Sequence, residues 1–580
     1  MNQLMTNESL AVTGDQFDHS GDVDKLPAPL KVMHLHTAVP PEDWLQGLIQ
    51  NWKADIVSGL IVFLVALPLC LGIALASGLP PMAGIISAII GGVVVSLING
   101  SFVTINGPAA GLIVVILASV ERLGGGEVGY HATLAAIVVS GIVLFAMGIC
   151  KAGKLGEFFP ATVVHGMLAA IGIIIMAKQL PFVLGVKPPA KEPLELIARI
   201  PAMFQQLNPE IATIGIVSLA ILIMHGSITS KVLKRIPAPI IVVLVAIFLG
   251  NYFDLAHAHH DLVGGHPVDL SPRFLVSVPS NILQSITFPN FSQIGSYVFF
   301  VSVVSITLVQ GIESLLSASA VDKLDPFHRH SDLSRDMAAI GLGSAISGMI
   351  GGLPMIAEIV RSTANVSNGA RTRWSNFFHG LFMLAAIIFC THYINRIPLA
   401  ALAALLVFTG YRLASPRVFK EAYEIGKEQL FIFIITIIAT LATDLLIGVG
   451  IGIFTKFALH LLNGVPVGSL FKAHVIIEDD GAGDVLVHVK DSAIFSNFIS
   501  LKQQLDNVGG GKRLRVDLSE VRLVDHTVME RLHDYSEEYG RTNFDHCCII
   551  GLEDHAVASS HPLAARKLMK KKTLDHARAS

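Results

Sequence analysis

Hydrophobic residues lie along most of this chain in long, nearly uninterrupted runs, not in the alternating patterns of soluble helices and strands. A helix needs about 20 apolar residues to cross the hydrocarbon core of a bilayer. Runs that approach this length predict membrane helices near residues 55–76, 81–98, 131–150, 158–176, 211–226, 238–253, 297–319, 334–350, 374–393, 398–410, 428–442 and 444–462.

Two further apolar segments are short and open with Gly and Pro, at residues 107–111 and 351–354. An ordinary helix with a Gly/Pro kink is the alternative for either segment alone. However, each is the third crossing in its set of seven, which is typical of an inverted repeat with broken helices. We therefore predict fourteen transmembrane segments as a 7+7 inverted repeat. Its two half-helices would direct their positive N-termini toward one anion site near the bilayer centre.

The remaining sequence divides the chain into domains. If the N-terminus is cytoplasmic, the loops on the cytoplasmic side contain more Lys and Arg than the loops on the other side. This bias predicts that both termini are cytoplasmic. After the membrane segments, strand-like and helix-like patterns alternate, as in a small α/β domain. The predicted domains are a cytoplasmic N-terminal segment (1–54), a membrane transport domain (55–462), a cytoplasmic α/β domain (463–560) and a basic tail (561–580).

Composition narrows the function classes. The chain is 52% hydrophobic and 15% charged, whereas soluble proteins carry about 25% charged residues. A net charge of −3 argues against a nucleic-acid partner, and the five cysteines have neither disulfide nor zinc spacing. Neither a nucleotide-binding glycine loop nor a nucleophile–base signature is present. We therefore expect a multi-pass inner-membrane protein that is not an enzyme, has no metal site and draws its energy from an ion gradient.

Several motifs resemble the SulP family of anion transporters, whose animal members include prestin and pendrin. In that family a membrane domain is followed by a cytoplasmic STAS domain. The resemblance covers residues of about 55 to 555 and is carried by Ala66-Leu67-Pro68, Asn106-Gly107-Pro108, Ile312-Glu313-Ser314-Leu315-Leu316-Ser317 with Asp322, Ile359-Val360-Arg361-Ser362-Thr363-Ala364-Asn365-Val366, and Asp517-Leu518-Ser519 with Val524-Asp525.

The resemblance implies a transporting core that moves against a gate domain, usually within a homodimer. It also implies an anion site where the two half-helices meet. Several relatives have a glutamine after the first-helix proline, where this chain has Leu69, so backbone donors, Arg361 and Ser362 would supply most of the contacts. The expected anion-binding residues are Pro68, Leu69, Gly107, Pro108, Ala109, Ala110, Val360, Arg361 and Ser362.

Two acidic residues suggest coupling to a cation. Glu313 lies in an apolar run, where an ionised carboxylate is costly unless it is protonated, paired or hydrated. Glu358 stands where many SulP relatives have a small residue, three positions before Arg361. Binding of a proton or a sodium ion is one interpretation of this pair. Structural bonding of Glu313 to a neighbouring helix, or an ion pair of Arg361 with either acid, is the other.

Thr527 lies where STAS domains related to sigma-factor antagonists have a phosphorylated Ser or Thr. The alternative is that Thr527 is the N-cap of the following helix.

The function that fits best is secondary active transport of a small inorganic anion, bicarbonate or sulfate, symported with sodium or protons. Membrane lipid, a second copy of the chain and a bound sodium ion are the expected partners. Two alternatives remain: a nucleobase–cation symporter of the same architecture, or an anion channel or sensor that signals through the STAS-like domain.

Overall fold

The structure is a computed structural model, and it describes residues 40–190, 192–226, 236–263, 266–279, 282–479, 483–509, 512–543 and 547–569. Within these ranges, eight helices are long and apolar enough to cross a membrane. Two shorter apolar helices (Pro209–His225 and Ala238–Tyr252), two further helices of 17 and 16 residues (Leu333–Met349 and Lys427–Ala442) and two half-helices (Ile113–Arg122 and Ile359–Ser367) complete the set. Together these elements form the fourteen segments that the hydropathy pattern predicts.

The first repeat contains seven crossings. Its third crossing begins with a two-residue strand and a 3₁₀ turn, because residues 107–111 contain two glycines and a proline and cannot extend a regular helix. The elements are α1 (Trp44–Ala76), α2 (Pro81–Ile90), which continues through a π-helical turn (Gly91–Val95) into α3 (Ser96–Ile98), β1 (Asn106–Gly107), α4 (Ile113–Arg122), α5 (Gly126–Ile149), α6 (Ala161–Leu184), α7 (Pro193–Ala198), α8 (Ile200–Gln205), α9 (Pro209–His225) and α10 (Ala238–Tyr252).

The second repeat follows a connection that contains a β-hairpin, and it has the same order of crossings. Its third crossing again begins with a two-residue strand before a short helix. The elements are β2 (His259–Val263), β3 (His266–Leu270), α11 (Tyr297–Leu324), α12 (Leu333–Met349), β4 (Ile356–Ala357), α13 (Ile359–Ser367), α14 (Trp374–Ile394), α15 (Leu399–Leu413), α16 (Pro416–Ile425), α17 (Lys427–Ala442) and α18 (Leu445–Leu462).

The crossings pack as two bundles. In the first, α5 packs along α11 and α12, and α1 packs along α2 and α14. In the second, α6 packs along α15 and α17, and α9 packs along α10 and α15. The half-helices α4 and α13 both belong to the first bundle, where each contacts α1 and α11. The predicted 7+7 architecture with two half-helices is therefore confirmed.

The C-terminal domain has a mixed sheet with the strand order β5-β6-β7-β10-β9, and β8 also pairs with β7. Parallel pairing of β6, β7 and β8 requires crossover helices, which α19 and α20 supply. Inward side chains such as Val487, Val516 and Leu518 are fully buried. The elements are β5 (His474–Asp479), β6 (Asp484–Ala493), α19 (Phe498–Asp506), β7 (Arg513–Val524), α20 (His526–Asn543), β8 (Cys547–Ile550), β9 (His555–Val557) and β10 (Arg566–Leu568).

The described elements extend past two of the predicted domain limits. Helix α1 already begins at Trp44, although residues up to 54 were assigned to the N-terminal segment. Strand β10 pairs with β7 and β9, so part of the predicted basic tail belongs to the sheet. Hydropathy located the membrane run but could not detect a three-residue strand that depends on its neighbours.

Candidate functional site

The two half-helices begin on opposite sides of a two-residue antiparallel ladder. Asn106 pairs with Ala357 and Gly107 with Ile356. Next to this ladder, the Glu358 N–H donates to the Ile105 carbonyl at 2.9 Å. The broken segments that are 250 residues apart in sequence therefore meet in the interior, as the repeat pattern predicts.

The first half-helix begins without a side-chain cap. Ala109 is extended, Ala110–Leu112 forms a 3₁₀ turn, and α4 follows. Pro108, Ala109 and Ala110 are all buried. A Cβ on residue 111 would overlap the Glu313 carboxylate, so any larger residue there would force that carboxylate to shift. The N-terminus of this half-helix thus lies against the acidic residue predicted to bind a cation.

Glu358 caps the second half-helix. Its Oε2 accepts a hydrogen bond from the Arg361 backbone N–H at 3.1 Å. The Ser362 hydroxyl donates to the Glu358 carbonyl at 2.7 Å and accepts from the Ile105 N–H at 2.9 Å. Through the bond from Ile105, Ser362 ties the two broken segments together. Its hydroxyl proton is already donated to Glu358 and is not free to bind an anion. Val360, also predicted as an anion contact, is only half-buried.

The Arg361 side chain is fully buried and lies across the ladder. Its Nη2 donates to the Pro108 carbonyl at 2.8 Å, which joins the second half-helix to the first. A Cβ on residue 107 would lie 2.8 Å from Nη1, so Gly107 leaves room for the guanidinium. Nε and Nη1 have no hydrogen-bond partner among the described residues. An ion pair of Arg361 with Glu358 or Glu313, the alternative interpretation, is not formed in the described part of the chain.

Glu313 projects from α11 toward the same region. Its Oε2 is inaccessible, and no residue in the described ranges donates a hydrogen bond to it. Glu358 lies near enough to repel it electrostatically. One turn before it, Gln310 donates to the Ser344 hydroxyl at 2.6 Å and to the Met355 carbonyl at 2.8 Å. Gln310 therefore fixes α11 against the segment that leads into β4, a role that no sequence motif indicated.

Pro68 and Leu69 lie in the middle of α1. Pro68 is buried inside the helix and removes one backbone donor there. Leu69 is partly buried and packs against an apolar cluster that includes Ala66 and Met82. The next residue, Cys70, is fully buried beside Arg361. Of these α1 residues, Cys70 is the one placed at the guanidinium, and no sequence pattern distinguished it from a core cysteine.

A second buried polar group lies behind Arg361. The His379 side chain on α14 is fully buried, and neither ring nitrogen has a hydrogen-bond partner. Asn376, one turn earlier, donates to Asn106 Oδ1 at 3.0 Å in the ladder. Sequence analysis missed these residues because a single His or Asn in an apolar helix carries no recognisable motif.

Thr527 lies far from the ladder, where the C-terminal domain contacts α18. Its hydroxyl is buried and accepts a hydrogen bond from Lys456 Nζ at 2.9 Å. The helix cap is Asp525, whose Oδ1 accepts from the Val528 N–H at 2.8 Å, so the N-cap interpretation of Thr527 is wrong. Burial alone would raise the pKa of Asp525. The positive charge of Lys456 opposes this and, with His460, holds that pKa below its usual value.

The sequence model of the sulfate permease family matches residues 52–436, which is more than half of the chain. The chain belongs to the sulfate permease family. Membership makes it a multi-pass membrane transporter of anions and not an enzyme. The resemblance to SulP proteins is therefore confirmed.

Two similar relatives are bacterial members of the family. The putative sulfate transporter YvdB of Bacillus subtilis is 25% identical over 421 residues, 71% of this chain and 74% of the relative. The bicarbonate transporter BicA of Picosynechococcus is 24% identical over 508 residues, 84% of this chain and 87% of the relative. One of these relatives is named for sulfate and the other for bicarbonate, and this chain is almost equally identical to both.

Two solved structures share the fold. The transmembrane domain of a cyanobacterial bicarbonate transporter BicA matches with a TM-score of 0.58 and 20% identity, over 69% of this chain and 97% of that chain. The overall structure of SLC26A9 matches with a TM-score of 0.60 and 14% identity, over 87% of this chain and 85% of that chain. The second match extends well beyond the membrane segments, into the C-terminal domain.

Proposed function

We propose that this sulfate permease family member is a secondary active transporter of a small inorganic anion, bicarbonate or sulfate, symported with sodium or protons. The observation that carries the proposal is the fully buried Arg361, whose Nε and Nη1 lack partners where the two half-helices meet. A buried charge with unused donors is unfavourable unless a ligand or water completes its hydrogen bonds. An oxyanion supplies the missing charge and acceptors.

The backbone around Arg361 favours the same ligand. Helix N-termini bind anions through unpaired N–H groups and the helix dipole. The first half-helix begins at Ala110 with no side-chain cap, so its first amides are available to a ligand. The predicted contacts Pro68, Leu69 and Val360 contribute shape at most, because none of these side chains has a hydrogen-bond donor.

Cation coupling is proposed for Glu313, with Glu358 nearby. Glu313 Oε2 has no protein donor, and its carboxylate packs against Gly111 at the start of the first half-helix. A proton or sodium ion bound there would neutralise a charge that otherwise repels the entering anion. Binding of the two ions would then be mutually favourable, which is the basis of symport.

The transport cycle would move the first bundle, which holds both half-helices, against the second. We propose that this occurs in a homodimer in the inner membrane with both termini in the cytoplasm. The family relatives named as bicarbonate and sulfate transporters support both anions equally. The choice between them is left to experiment.

The test is uptake of labelled bicarbonate and labelled sulfate by purified protein in liposomes, with and without an inward sodium gradient. Sodium-driven accumulation of bicarbonate would identify a sodium–bicarbonate symporter. Sulfate uptake that follows a proton gradient would identify proton–sulfate symport. Three results would contradict the proposal: no uptake of either anion, transport of uracil, or an anion conductance that is not coupled to sodium or protons.

Glu313→Gln is the matched variant for coupling, because it keeps the side-chain volume and removes the charge. We expect it to abolish gradient-driven accumulation while counterflow exchange of the anion persists. Glu195→Gln, at an exposed carboxylate on α7, is the control and should transport normally. Undiminished accumulation by Glu313→Gln would contradict its role in coupling.

A further inference from the structure

The two half-helices are capped differently. At the start of the first, Ala109 provides no side-chain acceptor. At the start of the second, the Glu358 carboxylate accepts from the Arg361 N–H at 3.1 Å. Ser, Thr, Asp and Asn are the usual caps, and a glutamate here places a full negative charge where an anion would bind. One of the two converging N-termini is thus already occupied by an anionic group of the protein.

The charged and titratable groups around Glu358 come from three elements. Arg361 is on its own helix, Glu313 is on α11 and Cys70 is on α1. When both carboxylates are ionised, the two acids and one arginine leave a net negative charge. An incoming anion would meet repulsion as well as competition for the Arg361 N–H.

We propose that the Glu358 carboxylate is a tethered anion, which occupies the N-terminus of the second half-helix until a coupling cation neutralises it and the transported anion takes its place. The inference deepens the proposed function and rests on it. It assigns Glu358 a role distinct from that of Glu313, which has no hydrogen bond to either half-helix amide in the described residues.

A binding order follows from this arrangement. While Glu358 is ionised, the amide at Arg361 is capped and the site carries excess negative charge. A proton or sodium ion removes both obstacles together. The cation therefore binds before the anion. On the other side of the membrane the anion leaves first, and the cation follows.

The variant that isolates this effect is Glu358→Gln. Glutamine keeps the length of the side chain and an oxygen that can cap the helix, but it removes the charge. The measurement is equilibrium binding of sulfate and of bicarbonate to purified protein at pH 8.5 without sodium, where both candidate coupling ions are scarce. We expect Glu358→Gln to bind at least one of these anions about tenfold more tightly than the unmodified protein.

The advantage of Glu358→Gln should disappear when the natural carboxylate is neutralised. We expect the two proteins to converge in saturating sodium if sodium is the coupling ion, or, for sulfate, as the pH is lowered if the proton is. Glu127→Gln is the control, because Glu127 is an exposed carboxylate in the first turn of α5. It should bind both anions like the unmodified protein under every condition.

Two results would overturn the inference, and they differ in what they say about the proposed function. If the unmodified protein binds an anion in an Arg361-dependent manner but Glu358→Gln binds it equally or more weakly, the tethered-anion role is wrong and the transport site stands. If neither protein binds sulfate or bicarbonate at any pH or sodium concentration, both proposals fail. Thermal unfolding of the variant would show that it is folded.

Discussion

Arg361 and Lys456 are both fully buried cations, but their surroundings differ completely. Arg361 has one carbonyl partner, and two of its nitrogens have none. Lys456 contacts Asp525 at 3.3 Å and Thr527 at 2.9 Å, and it lies 5.1 Å from the centre of the Phe495 ring. A buried charge whose partners all come from the chain holds structure together, whereas the unused donors of Arg361 fit the ligand-binding role that we propose for it.

The comparison also separates two ways of joining distant parts of the chain. At the ladder, backbone pairing and Ser362 already join the half-helices, and Arg361 adds one hydrogen bond, to the Pro108 carbonyl. At the junction with the C-terminal domain, a buried ion pair links α18 to the start of α20. Removing Arg361 should therefore affect anion uptake, whereas removing Lys456 should affect the attachment of the C-terminal domain.

The largest effect is expected for Lys456→Met. The substitution removes the lysine that pairs with the buried Asp525 and leaves two backbone amides and His460, at 3.5 Å, near that carboxylate. Losing one partner of a buried ion pair costs about 3–5 kcal/mol. Hydrogen exchange of the α20 amides should accelerate strongly, because the C-terminal domain would separate from α18 more often.

The double variant Lys456→Met/Asp525→Asn distinguishes a lost ion pair from a general packing defect. Asparagine keeps an oxygen that can cap the Val528 N–H, so protection should largely recover. Lys420→Met is the control, since Lys420 is exposed and pairs only with Glu424 on its own helix. If Lys456→Met exchanges as slowly as the unmodified protein, the ion pair does not hold the junction.

Arg361→Gln should produce the opposite profile. The loss of charged donors to an oxyanion should reduce anion uptake about 100-fold, at roughly 1.5 kcal/mol for each of two hydrogen bonds. The midpoint of thermal unfolding should stay the same or rise, because an incompletely paired buried charge has been removed. Arg417→Gln, on the exposed face of α16, is the control. A large loss of thermal stability in Arg361→Gln would contradict the contrast with Lys456.

A smaller effect is expected where the guanidinium packs on Gly107. In Gly107→Ala the new Cβ would meet Arg361 Nη1 at 2.8 Å and force the side chain to shift. Misplacing one donor should weaken the apparent affinity for the anion about tenfold, with little change in stability. Gly450→Ala is the matched control, because it adds a methyl group to a membrane helix where nothing lies within 4 Å. Equal affinity in both variants would show that the position of Arg361 is not critical.

The sequence was sufficient to predict the repeat and the convergence of its two half-helices, because both follow from a local signal. Glycine and proline interrupt two apolar runs at matching places, and a broken helix must be buried in protein to satisfy its backbone. Arg361, Glu313 and Glu358 were recognisable for a related reason, since charges in apolar runs are rare. The structure brings these residues into one region.

The sequence could not show how those residues are partnered. The i, i+3 spacing suggested an ion pair between Glu358 and Arg361, but the carboxylate bonds the backbone amide and the guanidinium crosses to Pro108. Likewise, no sequence pattern indicated the partners of Lys456 on α18. Its partners Asp525 and Thr527 lie about 70 positions later, and only the folded chain brings them together.

The smallest effect is expected at an exposed contact of the same junction. Lys323 at the end of α11 contacts both carboxylate oxygens of Asp534 on α20 at 2.9 Å, but the Lys323 side chain is 62% exposed. Solvent and salt screen such pairs. Lys323→Met should therefore change the free energy of opening, measured by hydrogen exchange of the α20 amides, by less than about 1 kcal/mol. An effect as large as that of Lys456→Met would mean that the number of ion pairs at the junction, and not the burial of each pair, determines how firmly the C-terminal domain is held.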